Sequence, residues 1–330
     1  MLNDVTIVIP TFNRKKFLKK IILYFSKFEI TCPIIIADGS DKKNLVFNKK
    51  LIREYNLKNN NQIHHVVDGS SFVDRIYKAL KLVKTIFCKI NTDDDFFSKN
   101  YILNSSAGLK NKKNYAAFTG YQISFHSKKK YNFVEAYDSL QQNPCDRIQF
   151  SKSNWNIWST YRTKELKHIF MRATDSMPAS RNRDNELNHW IKIRMLGFYM
   201  KAYTALLGGV KNTNSCENIT IYHPNNWAKK HNQFLLSDIL ISKNFKFFFK
   251  KMIFYMRKDF NLDISKANDI ANLILFSDKQ FHRKKSLQFR ILNKLKHLFF
   301  SNKLVSQFFM LIKKDSNEVK KIIDFINSDV

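Results

Sequence analysis

Phe87-Cys88-Lys89-Ile90-Asn91-Thr92-Asp93-Asp94-Asp95-Phe96-Phe97 is the stretch on which the fold turns. Phe87 to Ile90 reads as a short buried strand, and it runs straight into three consecutive carboxylates. Such a triplet costs electrostatic repulsion unless something positive sits among its members. Divalent cations such as Mg²⁺ take oxygen ligands, often one or two carboxylates completed by substrate phosphates. In a tight turn after a strand, Asp93 and Asp95 can point to the same side, one for a metal and one for a ribose or sugar hydroxyl. A solvated acidic turn is the plain alternative. Phe87 and Ile90 before the triplet, and Phe96 and Phe97 after it, weigh against that alternative, because they place it at the edge of a core.

Outward from this stretch the same grammar repeats. Val5 to Ile9 is an apolar, β-branched-rich run ended by Pro10, and Thr11-Phe12-Asn13-Arg14 follows. Asn13 can cap a helix in which Phe17, Leu18, Ile21, Ile22, Phe25 and Phe28 recur at helical spacing among lysines. Pro33 to Ala37 is a second buried strand, ended by Asp38-Gly39-Ser40. Ile63 to Val67 is a third, ended by Asp68-Gly69-Ser70, and Phe72, Ile76, Ala79, Leu80 and Val83 mark the next helix. Tyr115 to Phe125 reads as a further strand, and the pattern turns helical after about Thr160. Alternating strands and helices imply a parallel α/β sheet with right-handed crossovers. Ligands of such sheets bind beyond the carboxyl ends of the strands. Polar loops explain each cluster singly, but explain poorly why three consecutive strands end in Asp.

Composition sets the outer bounds. The chain has 330 residues, 44% hydrophobic and 25% charged, so it can bury a sizeable core and is not a disordered chain. With 57 Lys+Arg against 27 Asp+Glu, the formal charge is +30. That excess suits polyanionic partners, although a chain crowded with Lys, Asn, Ile and Phe also reflects an AT-rich coding bias. Cys32, Cys88, Cys145 and Cys216 lie far apart with no CxxC pair, which fits reduced thiols and neither a zinc ribbon nor a disulfide framework. Asp4 interrupts the N-terminus, the apolar run behind it is strand-sized, and no stretch of about 18 uncharged apolar residues occurs. A cytoplasmic chain is expected, able to lie at the inner face of the cell membrane.

Val5 to Arg14 (VTIVIPTFNR), Ile36 to Ser40 (IADGS) and Asn91 to Phe96 (NTDDDF) resemble the nucleotide-sugar half of family-2-like bacterial glycosyltransferases. The later segments Asn143 to Ile148, Trp158 to Thr163 and Asn185-Glu186-Leu187 are similar to one subgroup of them. The resemblance covers roughly residues 3–225. It implies a GT-A fold, a Rossmann-like nucleotide-diphospho-sugar transferase domain over 1–225, with 226–330 as a mostly helical basic extension. It further implies a metal-dependent, inverting transfer from a nucleotide-sugar donor, with Mg²⁺ or Mn²⁺, to a glycan or lipid-linked acceptor in bacterial surface polysaccharide synthesis. By position, Pro10, Thr11, Asn13 and Arg14 would line the nucleotide and phosphates, with Ser40 and Asp94 beside them. Asp38 would meet the base, and Asp93 and Asp95 would serve ribose and metal. Ala37 stands where many relatives carry a second Asp. Arg75 is either a diphosphate contact or a surface residue. Glu186 is the favoured general base for the acceptor hydroxyl, with Asp184 second; a capping role at a helix N-terminus is the bland reading of either. His223 is either a closing metal ligand or structural. Trp155, Trp158 and Tyr161 either stack on sugar rings or belong to the core.

In the extension, Phe245, Phe248, Phe249, Met252 and Met256 share one helical face, and Leu287, Ile291, Leu295, Leu298 and Phe299 another, both beside basic residues. Basic amphipathic helices suit an anionic membrane surface, here over 239–314; a small bundle packed on the catalytic domain fits equally. Two other classes remain in view. A nucleic-acid-binding protein would use the +30 charge, but no binding module is legible. A nucleotidyltransferase would need a Gly-rich phosphate loop, and Pro10 to Arg14 contains no glycine.

Overall fold

The structure, a computed structural model, describes residues 2–59, 62–127, 130–134, 136, 138–150, 156–177, 186–221, 236–283 and 316–328. Strand β1 (Val5–Thr11) is buried along its whole length. It pairs in parallel with β2 (Ile34–Asp38) on one side and with β4 (Phe87–Ile90) on the other. β3 (Ile63–Val67) adds to β2, again in parallel. Helices α1 (Lys15–Lys27), α2 (Lys42–Lys58) and α3 (Phe72–Leu82) make the crossovers. This is the strand–helix alternation read from the sequence, and its register carries the four polar loops to one sheet edge.

β1 extends two residues beyond the expected Ile9, through Pro10. The Ile7 amide donates to Pro33 O, so odd-numbered amides face β2. Pro10 therefore turns its missing N–H toward β4, whose pairing with β1 has already ended at Val8–Ile90. A proline at that place removes no ladder bond.

The sheet continues as β3-β2-β1-β4-β8-β6-β9-β5, with β7 (Lys130–Val134) paired to β6. β8 (Thr160–Arg162) turns antiparallel against β4. The long β6 (Tyr115–Ser127) and β9 (Gly209–Ile221) run parallel. β5 (Asp95–Phe96) pairs antiparallel with Thr220 and Ile219 of β9. Neither β5 nor β9 is expected from the sequence, and together they fix the last Asp of the triplet.

Two apolar layers cover the sheet. On one side α1 packs with α4 (Lys99–Asn111) and α11 (Ser316–Asn327), burying Ile21, Phe25, Tyr101 and Phe325 among others. On the other, α3, α5 (Pro144–Phe150), α6 (Thr163–Ser176) and α7 (Glu186–Leu207) enclose Ile76, Ile148, Phe170 and Tyr199. Each such apolar side chain taken from water contributes roughly 1.5–3 kcal/mol.

The extension joins these layers. Ile239 of α8 (Leu236–Ile241) and Phe245, Phe248, Met252 and Met256 of α9 (Lys243–Phe260) are buried in the same cluster as Phe198 and Tyr199 of α7. Ile270, Ala271 and Ile274 of α10 (Ile264–Arg283) belong there as well. The first stripe thus packs on the sheet domain; the Leu287–Phe299 stripe lies outside the described residues. Cys32, Cys88 and Cys216 are buried free thiols and Cys145 is half-buried. Among the described residues no helix is long and apolar enough to cross a membrane.

Candidate active site

The acidic triplet sits beyond the end of β4, and its members are only 1%, 7% and 5% exposed in order. A solvated acidic turn is thereby excluded. Arg14, at the N-terminal end of α1, supplies the positive charge the triplet requires. Its guanidinium reaches Asp93 Oδ1 at 2.8 Å and Asp94 Oδ2 at 2.5 Å, and lies over the Phe17 ring at 4.4 Å. Burial opposes the charge on Arg14, but Asp93 and Asp94 outweigh it and raise its pKa. The Thr11 hydroxyl donates to Asp93 Oδ2 at 2.6 Å. Asp95 faces other partners: the Thr220 hydroxyl donates to Oδ1 at 2.5 Å, and the Thr92 hydroxyl donates to Oδ2. Asn91 Nδ2 donates to the Asp95 carbonyl at 2.8 Å and so closes the turn. Asp93 thus leans on β1 and Asp95 on β9.

Burial pushes the Asp93 and Asp95 carboxyls well above the usual carboxylate range, and the neighbouring Asp94 adds to both shifts. The donor set suits a hard cation: it is all carboxylate oxygen, it is buried, and one guanidinium answers two of three acids. Among the described residues no three His, Cys, Asp or Glu side chains converge into a ready-made cage. Asp93 and Asp95 are the carboxylates that could hold Mg²⁺ or Mn²⁺, with the remaining ligands coming from outside the chain.

Asn13 does not cap α1. Arg14 holds the N-cap position, without a side-chain cap bond, and Asn13 takes a left-handed φ of 54°, which Asn tolerates better than most residues. This turns Asn13 toward β2. Its amide donates to Ser40 Oγ at 2.8 Å, and its Oδ1 accepts from the Asp41 amide at 2.9 Å. The first two polar loops are therefore stitched together.

Asp38 is fully buried. Its carboxylate accepts from the Ser40 amide (2.9 Å), Asn48 Nδ2 (2.8 Å) and His65 Nε2 (3.0 Å). Burial would raise its pKa, but the bonds from His65, Ser40 and Asn48 prevail and hold it below the usual range. With both oxygens engaged, Asp38 shapes the loop around it. Arg75 is not a surface residue: it is 3% exposed and donates to Ser70 O at 3.0 Å. Burial depresses its pKa against the pull of Asp38, Asp68 and Asp93.

Lys89, in β4 four residues before Asp93, is not among the residues the sequence singles out. It is fully buried, its Nζ donates to Trp158 O at 2.5 Å, and it faces the Phe97 and Tyr101 rings. The signal was present: a charge inside an apolar strand flanked by an acidic turn. Thr220, Asn48 and His65 carried no such signal, because their roles depend on which strands become neighbours.

Of the expected acceptor-side residues, Tyr161 is a core aromatic bonded to Thr204 at 3.1 Å, and Trp158 packs against the same core. Glu186 opens α7; its side chain, and Trp155, Asp184 and His223, lie outside the described residues.

A parallel α/β half with polar loops at one edge, an acidic turn after the fourth strand and a mixed second half is the GT-A fold. No protein-family model and no curated sequence matches the chain. Solved structures do. The chain is similar to residues 1–349 of S. aureus TarS in complex with UDP-GlcNAc, with a TM-score of 0.55 and 13% identity over 87% of this chain and 77% of that one. The UDP complex of the same piece gives a TM-score of 0.52 at 13% identity, over 87% and 76%. Against another TarS structure the TM-score is 0.50 at 13% identity, over 82% of this chain and 42% of that one, so this chain spans less than half of that TarS chain. At such identity the shared property is the fold.

Proposed function

We propose that the chain is a metal-dependent glycosyltransferase that takes a sugar from a nucleotide-diphospho-sugar, with a uridine nucleotide as the first donor to test. The observation that carries the reading is the buried, Arg14-bridged triplet Asp93-Asp94-Asp95 at the loop edge of a GT-A sheet. The uridine choice rests on the UDP and UDP-GlcNAc complexes of TarS. Asp93 and Asp95 would hold Mg²⁺ or Mn²⁺, and the ion when bound supplies charge for the donor diphosphate. Arg14 and Arg75 would neutralise the same phosphates. Pro10, Thr11, Asn13 and Ser40 would form the wall on which the nucleotide lies. Asp38 would act as a positioning residue, setting the Ser40 and His65 surfaces, in place of direct contact with the base. Asp94 would steer Arg14 toward or away from the phosphates.

Acceptor activation in an inverting transfer needs a general base. Glu186 is our first candidate, with Asp184 second and His223 as a further metal ligand. The acceptor class, a glycan or lipid-linked glycan, is supported by the exposed side of α9, where Phe247 and Phe254 stand among lysines. That surface is compatible with an anionic membrane.

The decisive experiment is a thermal-shift panel of UDP, GDP and CMP with Mn²⁺ or Mg²⁺. UDP with Mn²⁺ should raise the melting temperature, and Asp95→Ala should abolish the shift. A panel in which no nucleotide shifts the intact chain refutes the transferase reading. Glu186→Ala should retain nucleotide binding and lose turnover by at least about a hundredfold.

A further inference from the structure

The opposite edge of the sheet carries a second, chemically different site. A cavity of about 670 Å³ opens where β4 begins, β8 ends and α6 starts. Six basic side chains line it, Lys84, Lys110, Lys113, Arg162, Lys164 and Lys167, and no acid does. Two of the six are held from below by backbone carbonyls. Arg162 donates to Tyr115 O at 2.6 Å and to Leu109 O and Lys112 O at 2.8 Å. Lys167 donates to Val83 O at 2.8 Å. Lys84, Lys110, Lys113 and Lys164 stand exposed around the rim.

Two further features point to a ligand. The N-terminus of α6, a helix of 14 residues, lines the cavity without a side-chain cap bond; the Thr163 amide donates to Ile86 O at 2.9 Å and Glu165 of the first turn pairs with Arg162 at 3.6 Å, so the helix end adds only what is left of its first-turn dipole. The Thr163 side chain also lines the cavity and is 6% exposed, yet its hydroxyl has no hydrogen-bond partner among the described residues. A buried donor left unmade costs free energy that a bound acceptor would recover.

We propose that this cavity is an anion subsite for a phosphate-bearing soluble ligand, such as a phosphodiester or polyphosphate chain. Helix dipole, hydroxyl and ammonium rim meet a multiply charged phosphate oxygen cluster, as helix N-termini commonly do. The volume is of the size that takes a small ligand or one segment of a chain. The two sheet edges then divide the work: the acidic edge accepts phosphate only with a cation, and the basic edge accepts it directly. The site stands whether or not the chain transfers sugar, because none of its residues belongs to the triplet edge.

The test is calorimetric titration of the full chain with tripolyphosphate at near-physiological salt and without metal, a condition in which the acidic triplet repels the probe. Saturable binding is expected. Lys84→Glu/Lys164→Glu should weaken it more than about tenfold, and Thr163→Val about fivefold. Lys49→Glu/Lys58→Glu, exposed on α2 and matched in charge, should change it less than about twofold. Absence of saturable binding, equal loss in both double variants, or unchanged affinity in Thr163→Val overturns the proposal. Circular dichroism melts identify a variant that has merely unfolded. Co-sedimentation with phosphatidylglycerol vesicles forms the second arm. The cavity variants should sediment as the parent does; loss of vesicle binding with tripolyphosphate binding retained assigns the cavity to lipid headgroups and refutes a soluble ligand.

Discussion

Lys89 feels the acidic edge from inside the core. Burial pushes its ammonium down to about 8, against the pull of Glu217 and Asp95. The unfolded value lies near 10.4, so between about pH 8 and 10 the unfolded chain binds more protons than the folded one, and stability rises with pH across that window. The full effect is about 3 kcal/mol. Lys89→Met should flatten that rise in denaturant melts taken at pH 7, 8, 9 and 10; an unchanged slope shows that the rise has another source. Asp38 gives the opposite case. Its folded pKa is depressed, so its contribution is fully present above about pH 4 and is lost progressively as pH falls from there through the lower folded value. Asp38→Asn should lower the melting temperature at pH 7 and shrink the gap to the parent at pH 3. A gap constant from pH 7 to pH 3 means the carboxylate charge is irrelevant there. The identity of Asp38 was legible in IADGS, whereas its role was not: Asn48 arrives from α2 and His65 from β3, and no spacing rule brings either to a chosen carboxylate.

Among elements, the opening strands were readable because their period and their ends agree. A parallel strand buried on both faces must be apolar throughout, and Val5–Ile9, Pro33–Ala37 and Phe87–Ile90 meet that test almost without exception. β9 was not readable for the same physical reason. Gly209 to Ile221 contains Lys211, Asn212, Asn214, Glu217 and Asn218, and its polar groups are satisfied only by partners from elsewhere. Glu217, for example, accepts from Thr119 at 2.9 Å and from Tyr101 at 3.2 Å. This strand reaches the site, since Thr220 holds Asp95. Its approach to β6 depends on Gly120, where an added Cβ would lie 2.2 Å from Ser215 O. Gly120→Ala must therefore push β9 away. It should cost about 2–4 kcal/mol in urea unfolding and weaken the Mn²⁺-dependent nucleotide shift together with stability. A variant as stable as the parent would show that the two strands separate at no cost.

At the scale of the molecule, periodicity disclosed the stripes of the extension but not what they face. An amphipathic helix with lysines on its polar side has the same pattern whether its apolar side meets lipid or protein. For α9 the packing decides: Phe245 lies edge-on to Phe198 at 6.0 Å, and Met252 and Met256 are fully buried. The Arg172–Asp259 pair ties α6 to α9 at 2.5 Å, and Tyr203 of α7 donates to the same carboxylate at 2.8 Å. At the far end α11 returns to α1. Phe325 meets Phe28 and Phe96 edge-on at 5.9 and 6.3 Å, and Lys20 Nζ donates to Ile326 O at 2.5 Å.

Both layers of the core therefore contain residues that lie beyond 225, and this fixes what truncation should do. A chain ending at residue 225 would expose the α7 face around Phe198, Tyr199 and Tyr203 together with the α1 face around Tyr24 and Phe28. We predict that it fails to fold as a soluble monomer, as judged by gel filtration and near-UV circular dichroism. A folded, nucleotide-binding 1–225 piece would show the extension to be an independent module. The finer version avoids gross deletion. Phe325→Ala removes a ring from a buried aromatic cluster, so it should cost about 3–5 kcal/mol. Because that cluster includes Phe96, which directly follows Asp95, the loss should appear in one cooperative transition that also carries the nucleotide site. Two separated melting transitions, with nucleotide affinity unchanged, would instead assign α11 to a unit that unfolds by itself.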